Sequence, residues 1–170
     1  MFTFLTILCL IAALALLIIL SIIDLRVGLL PNVLVLPLAL TGLAFHYVTG
    51  MLFITPTNIA LGALIGGGSL LAIRTTANAF YGEDTLGLGD VKLLAAGGLW
   101  LGPEHTLMAI GIGAAAGLLH GTNLAIYTAV TSKQKIDLSR FSIPAGPGFA
   151  VGIVIAAILK FQNLPAILLP

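Results

Sequence analysis

Charge is scarce in this chain: 8% of its 170 residues are Asp, Glu, Lys or Arg, against roughly 25% in a soluble domain. With 59% hydrophobic residues and a mean hydropathy of +1.18, one core of this size cannot hide the apolar surface, so most of it must face lipid. The net charge of +1 excludes the basic footprint of a nucleic-acid binder, and no nucleic-acid partner is expected. Cysteine is nearly absent. Cys9 stands alone inside an apolar run, which excludes an internal disulfide and paired-cysteine zinc sites, and it reads as packing. His46, His105 and His120 are scattered and lack the spacing of a metal site, so no metal and no other cofactor is expected. The N-terminal run has no basic region ahead of it, is longer than a signal-peptide core, and places Leu8, too large for a lipoprotein cleavage site, before Cys9. It is expected to be a retained membrane helix.

What the chain has in quantity is long apolar stretches. Hydropathy predicts an all-α, multi-pass membrane protein of about six transmembrane helices, at roughly 3–23, 32–49, 57–74, 89–102, 105–130 and 147–164. Breakers fall between them: Gly28 and Pro31, Thr55-Pro56, the stretch from Gly82 to Gly89, Gly102-Pro103, and Pro144 to Pro147. No duplicated block is visible, and residues 1–170 read as one transmembrane domain in the lipid bilayer. With the N-terminus outside, Arg26, Arg74, Lys92, Lys133, Lys135 and Arg140 fall on the cytoplasmic side and only Lys160 on the other, as the positive-inside rule expects. The fourth span is short, but dropping it would put the 133–140 cluster outside, so it is kept as a crossing. Gly62 and Gly66, and Gly113, Gly117 and Gly121, recur at intervals of four and read as helix-packing surfaces. Trp100 reads as an interfacial anchor.

Two of the six acids stand apart. Asp24, in SIIDLRVGLLPN, ends the first apolar run, and Asp90, in GLGDVKLLAAGG, opens the fourth. The topology puts both at one membrane face, although they are far apart in sequence. Arg26 and Lys92 follow at i+2 and point elsewhere on a helix, so they are poor ion-pair partners and read as headgroup contacts. Two facing carboxylates share a proton, so one can take a proton from water while the other donates to a carbonyl oxygen. That is aspartic-protease chemistry, and it needs no metal. Gly87 and Gly89 would give a substrate backbone room beside Asp90, or would simply make the turn. The alternative for Asp90 is a helix N-cap. Glu83 and Asp84 read either as a lure for a basic peptide or as a solvated loop.

These residues resemble a known family. GLGDVKLLAAGGLWLG is similar to the second catalytic motif of type IV prepilin peptidases, the G-x-G-D membrane aspartic proteases. IIDLRVGLLPN resembles the first motif, with Asp24, Pro31 and Asn32, and IPAGPGFAVG resembles the stretch that opens the last span, with Pro144, Gly146 and Pro147. The resemblance implies that Asp24 and Asp90 are the catalytic pair, with Gly87, Gly89, Lys92, Pro31 and Asn32 as supporting motif positions. It implies cleavage of a prepilin-like membrane protein at the cytoplasmic face of the bacterial inner membrane, between a short basic leader and an apolar helix. Longer members carry an N-terminal four-cysteine region and methylate the product. Here the expectation is the short, peptidase-only form. Two rival readings are a proton- or ion-coupled transporter using the two acids and a presenilin-like intramembrane protease, whose late P-A-L motif is not matched by Pro165-Ala166-Ile167. A non-enzymatic scaffold is a third.

Overall fold

The computed structural model describes residues 2–84, 86–132 and 144–164, and is all-helical with no strand among them. Five elements follow in order: α1 (Phe2–Val27), α2 (Asn32–Val48), α3 (Pro56–Tyr81), α4 (Leu88–Ser132) and α5 (Gly146–Lys160). α1 and α3 are each 26 residues long and apolar enough to cross a bilayer, whereas α2 and α5 are shorter.

The stop signals act where the sequence puts them. α1 ends before Gly28, whose φ of +66° is the left-handed conformation glycine adopts cheaply after a helix. Thr55 caps α3 by accepting the Asn58 N–H, and Pro56 occupies the first helical position, where a missing N–H costs nothing. The boundary expected at Gly102-Pro103 is a break and not a loop. α4 continues through it, but Gly102 has φ 67° and ψ 178°, so the element is two helices joined at one residue. The Lys133, Lys135 and Arg140 cluster and Pro165-Ala166-Ile167 lie outside the described residues.

Packing depends on missing side chains. A Cβ added at Gly62 would lie 2.2 Å from the Gly98 carbonyl oxygen, and one at Gly66 would lie 2.2 Å from that of Leu94. α3 and α4 therefore meet backbone to backbone, the close approach that small residues permit in lipid. Gly152 meets Ala109, and Gly148 meets Gly113, in the same way where α5 crosses α4. Gly62→Ala is expected to destabilise the fold by about 1–3 kcal/mol through overpacking. Gly68→Ala, on the same helix with nothing within 4 Å, should be neutral or slightly stabilising. Thermal unfolding in detergent compares the two, and equal behaviour would refute the close-approach account.

An aromatic cluster forms the core at one end. Phe45, fully buried, packs against His46, Phe53, Trp100 and Phe161. Trp100 is 4% exposed, which corrects its reading as an interfacial anchor. Its indole lies over Gly42, where a Cβ would be 2.7 Å from the ring, and its Nε1–H donates to the Leu38 carbonyl at 2.8 Å. The break at Gly102 leaves carbonyls of the preceding turn without helical donors, and His46 Nε2 donates to that of Trp100 at 3.0 Å. His46 is thus a core histidine, its proton placed on Nε2 by this bond.

The two ends of the molecule differ. Phe53, Asn58, Gly102 and Lys160 line a pocket at the aromatic end. Asp24, Arg74, Asp90 and Pro144 line a larger cavity at the other. Along α3, Asn58 and Arg74 are about 24 Å apart at 1.5 Å per residue, which separates the two faces.

Candidate active site

Four chain segments converge on the larger cavity, which has a volume of about 720 Å³. They are the C-terminal end of α1, Arg74 of α3, the turn into α4 with Asp84, Leu86 and Asp90, and Pro144-Ala145 ahead of α5. Asp24 and Asp90 both line it, 6% and 7% exposed. Two acids far apart in sequence are thus brought to one cavity.

Asp24 lies in the last turn of α1 and reaches across to α5. Its Oδ2 accepts the backbone N–H of Gly146 at 3.0 Å. Gly146 is the first residue of α5, so the carboxylate sits at the positive end of that helix. Any larger residue would displace the carboxylate: a Cβ at 146 would lie 2.5 Å from Asp24 Oδ2. In the sequence Gly146 is only part of a matching motif, and its contact with Asp24 cannot be read from spacing.

Asp90 is the third residue of α4, three beyond the N-cap position, so its side chain is not the cap. Its N–H donates to Gly87 O at 3.2 Å. Its Oδ1 is buried with no hydrogen-bond partner among the described residues, although such atoms are almost always paired. Asp90 as a residue lines the cavity, while this oxygen is closed off from solvent.

The glycines of the motif divide in role. Neither Gly87 nor Gly89 has a positive φ. A Cβ at Gly89 would lie 2.8 Å from Leu30 Cβ, so the clearance at this position serves the chain's own Leu30 and not a substrate. Gly87 lines the cavity, and a Cβ there would be 3.1 Å from Asp90 Oδ2.

Lys92 reads from the sequence as a headgroup contact. Its Nζ donates to Asn32 Oδ1 at 3.0 Å in an exposed bond that joins the start of α2 to the first turns of α4. Pro31 precedes Asn32 as the N-cap residue of α2, with extended φ and ψ. The bond spans the two motifs and holds Leu30 over Gly89, beside Asp90. A double-mutant cycle tests it: Lys92→Ala and Asn32→Ala are each expected to lower activity several-fold, and the double variant no further than the worse single one. Additive losses would return Lys92 to a headgroup role.

In the sequence Arg74 counts only toward the charge bias. It donates to the Leu86 carbonyl and pairs with Asp84 Oδ1 at 2.6 Å, and Asn78 Nδ2 donates to the same oxygen at 2.8 Å. α3 thereby pins the turn that leads into Asp90. Asp84 is 78% exposed yet engaged, while Glu83 is simply exposed. The available signal was a cation in the last turns of α3 followed by an acidic turn.

Comparison with known proteins bears on what this cavity is. Residues 4–122 match the model of the Type IV leader peptidase family. The chain is similar to the prepilin leader peptidase/N-methyltransferase of Pectobacterium carotovorum subsp. carotovorum, 31% identical over 151 residues that make up 89% of this chain and 51% of the relative. The protein of the same name from Escherichia coli K12 is 34% identical over 136 residues, 80% of this chain and 56% of the relative. That from Klebsiella pneumoniae is 39% identical over 100 residues, 56% and 43% of the two chains. The chain spans about half the length of the curated relatives it matches. No solved structure gives a significant match.

Proposed function

Because the chain belongs to the type IV leader peptidase family, we propose that Asp24 and Asp90 form the catalytic pair of a membrane aspartic endopeptidase. Its substrate is a prepilin-like membrane protein, cut between its leader and the apolar segment that follows. The observation that carries this reading is the meeting of two buried carboxylates, distant in sequence, on one cavity wall.

The roles follow from the partners. Asp24, held by the Gly146 amide at the N-terminus of α5, is the ionised member and takes a proton from the attacking water. Asp90, with its unpaired Oδ1, is the protonated member and donates to the carbonyl oxygen of the scissile peptide. As the tetrahedral intermediate collapses, Asp24 passes the proton taken from water to the leaving nitrogen, and Asp90 takes back a proton from a hydroxyl of the gem-diol as the new carboxyl group forms. The residues alone do this, with no metal or cofactor.

The bundle sits in the inner membrane, crossing it six times with α4 supplying two crossings. Exposed apolar side chains such as Ile11, Leu64 and Ile158 on α1, α3 and α5 support burial in lipid. Arg26 and Arg74 line the cavity with the two acids, which supports a cytoplasmic mouth. Of the two activities in the relatives' name, the acid pair accounts for cleavage, and we assign only cleavage to these 170 residues. The purified chain in nanodiscs, given a co-purified precursor, is expected to release the leader and shift the product mass accordingly. Adding S-adenosylmethionine should leave the new N-terminus unmethylated. An intact precursor, or proton flux in liposomes without cleavage, would refute the peptidase reading in favour of transport.

A further inference from the structure

Two lipid-facing grooves run along the helices, and they differ in what they join. The first lies between α1 and α5. Its half nearer the catalytic cavity is walled by Ile18, Ile22 and Leu25 of α1 and by Val151, Val154 and Ile155 of α5. It continues past Leu14, Leu17 and Val154 into an apolar pocket of about 460 Å³ that reaches Trp100 and Gln162. At the other end Leu25 is shared with the cavity of Asp24 and Asp90. The second groove, also about 460 Å³, runs between α2, α3 and α4 and shares no lining residue with that cavity.

We propose that the α1/α5 cleft seats the apolar membrane segment of the substrate, so that the peptide bond ahead of it passes Leu25 and lies between Asp24 and Asp90. This rests on the peptidase reading above. Three features select this occupant. The cleft opens directly onto the acids, and the other groove does not. Its walls between Leu14 and Ile155 carry one polar side chain, Ser21, whose hydroxyl already donates to Leu17 O, so nothing there would recognise a polar strand or a headgroup. From Leu10 to Leu25 the cleft runs about 23 Å along α1. An acyl chain from one leaflet covers only about 15 Å, half the hydrocarbon thickness, whereas a membrane helix fills the whole length. Leu14, Ile18 and Ile22 recur at intervals of four and present one exposed apolar ridge for it to pack on.

Site-specific photo-crosslinking in the full chain tests the assignment. A benzophenone side chain replaces Ile18 or Ile155 in the cleft, or Leu36 in the second groove, each combined with Asp90→Asn to prevent turnover. The probe is a co-expressed precursor with a prepilin-like leader from the same genome. Irradiation is expected to give a band shifted by the precursor's mass from Ile18 and Ile155 and none from Leu36. Capture from Leu36, capture from none of the three, or capture of phospholipid alone at Ile18 would overturn the proposal. Maturation of the same precursor by the unsubstituted chain is scored in parallel. Its success with no capture in the cleft sinks the docking site and leaves the peptidase standing, and its failure sinks both.

Discussion

Asp24→Asn and Asp90→Asn are each expected to lower precursor cleavage at least about a hundredfold, the usual scale for losing a general acid or base. Both changes keep the side-chain shape. In Asp24→Asn the amide oxygen still accepts from Gly146, so α1 and α5 stay joined and the protein should insert normally. What disappears is the group able to take a proton from water. In Asp90→Asn an amide replaces an acid that lines the cavity and whose Oδ1 is buried and unpaired, so on the proposed mechanism the carbonyl oxygen of the substrate loses a proton donor of suitable acidity. Because the two act as one unit, the double variant should be no slower than either single one. Co-expression with the precursor, scored by mass and by membrane fractionation, gives the answer. Normal maturation by either single variant would remove that residue from the mechanism, and maturation by both would leave a scaffold.

The second large effect is expected from a methyl group. Gly146→Ala places a Cβ 2.5 Å from Asp24 Oδ2 and 2.9 Å from its Cγ. Neither atom can stay, so the carboxylate swings away or the start of α5 retreats, and the 3.0 Å bond is lost. A displacement of about 1 Å at a reacting group can cost on the order of a hundredfold in rate. The comparison is Gly50→Ala, at the opposite end. Gly50 has φ +64° and nothing within 4 Å, so alanine there stores about 1–2 kcal/mol of backbone strain and leaves the cavity untouched. Gly146→Ala should therefore lose activity with little loss of stability, and Gly50→Ala the reverse. Equal activity in the two variants would mean that the Gly146 amide does not position Asp24.

Much of this arrangement can be read in the letters, and the reasons are local. Gly28, Thr55-Pro56, Gly82 and Gly102 act through their own backbone preferences, so each marks a helix end or break wherever the rest of the chain goes. Asp24 and Asp90 are conspicuous because carboxylates at the ends of apolar runs are expensive. Trp100, Lys92 and Arg74 were harder because their partners lie on other helices. Hydropathy averages over a window and does not say which face of a helix turns inward. In a chain apolar on nearly every face there is no polar stripe to supply the contrast. Trp100 thus resembled an anchor until Gly42 and the Leu38 carbonyl were found beneath it. Nothing in the letters around Lys92 points to Asn32, its partner on another helix.

The aromatic cluster has a mechanical consequence. His46 and Trp100 fasten α2 to α4 through main-chain oxygens, in surroundings where no water competes for those bonds. Phe161 draws the far end of α5 into the same knot. At the other extremity one buried carboxylate–amide bond joins α1 to α5, while the bonds of Lys92 to Asn32 and of Arg74 and Asn78 to Asp84 are open to salt and solvent. The bundle is therefore built like a clothes-peg. The bonds at its spring end are sealed from competition, and most of those around the jaw that holds the two acids are ones that salt and water can reach.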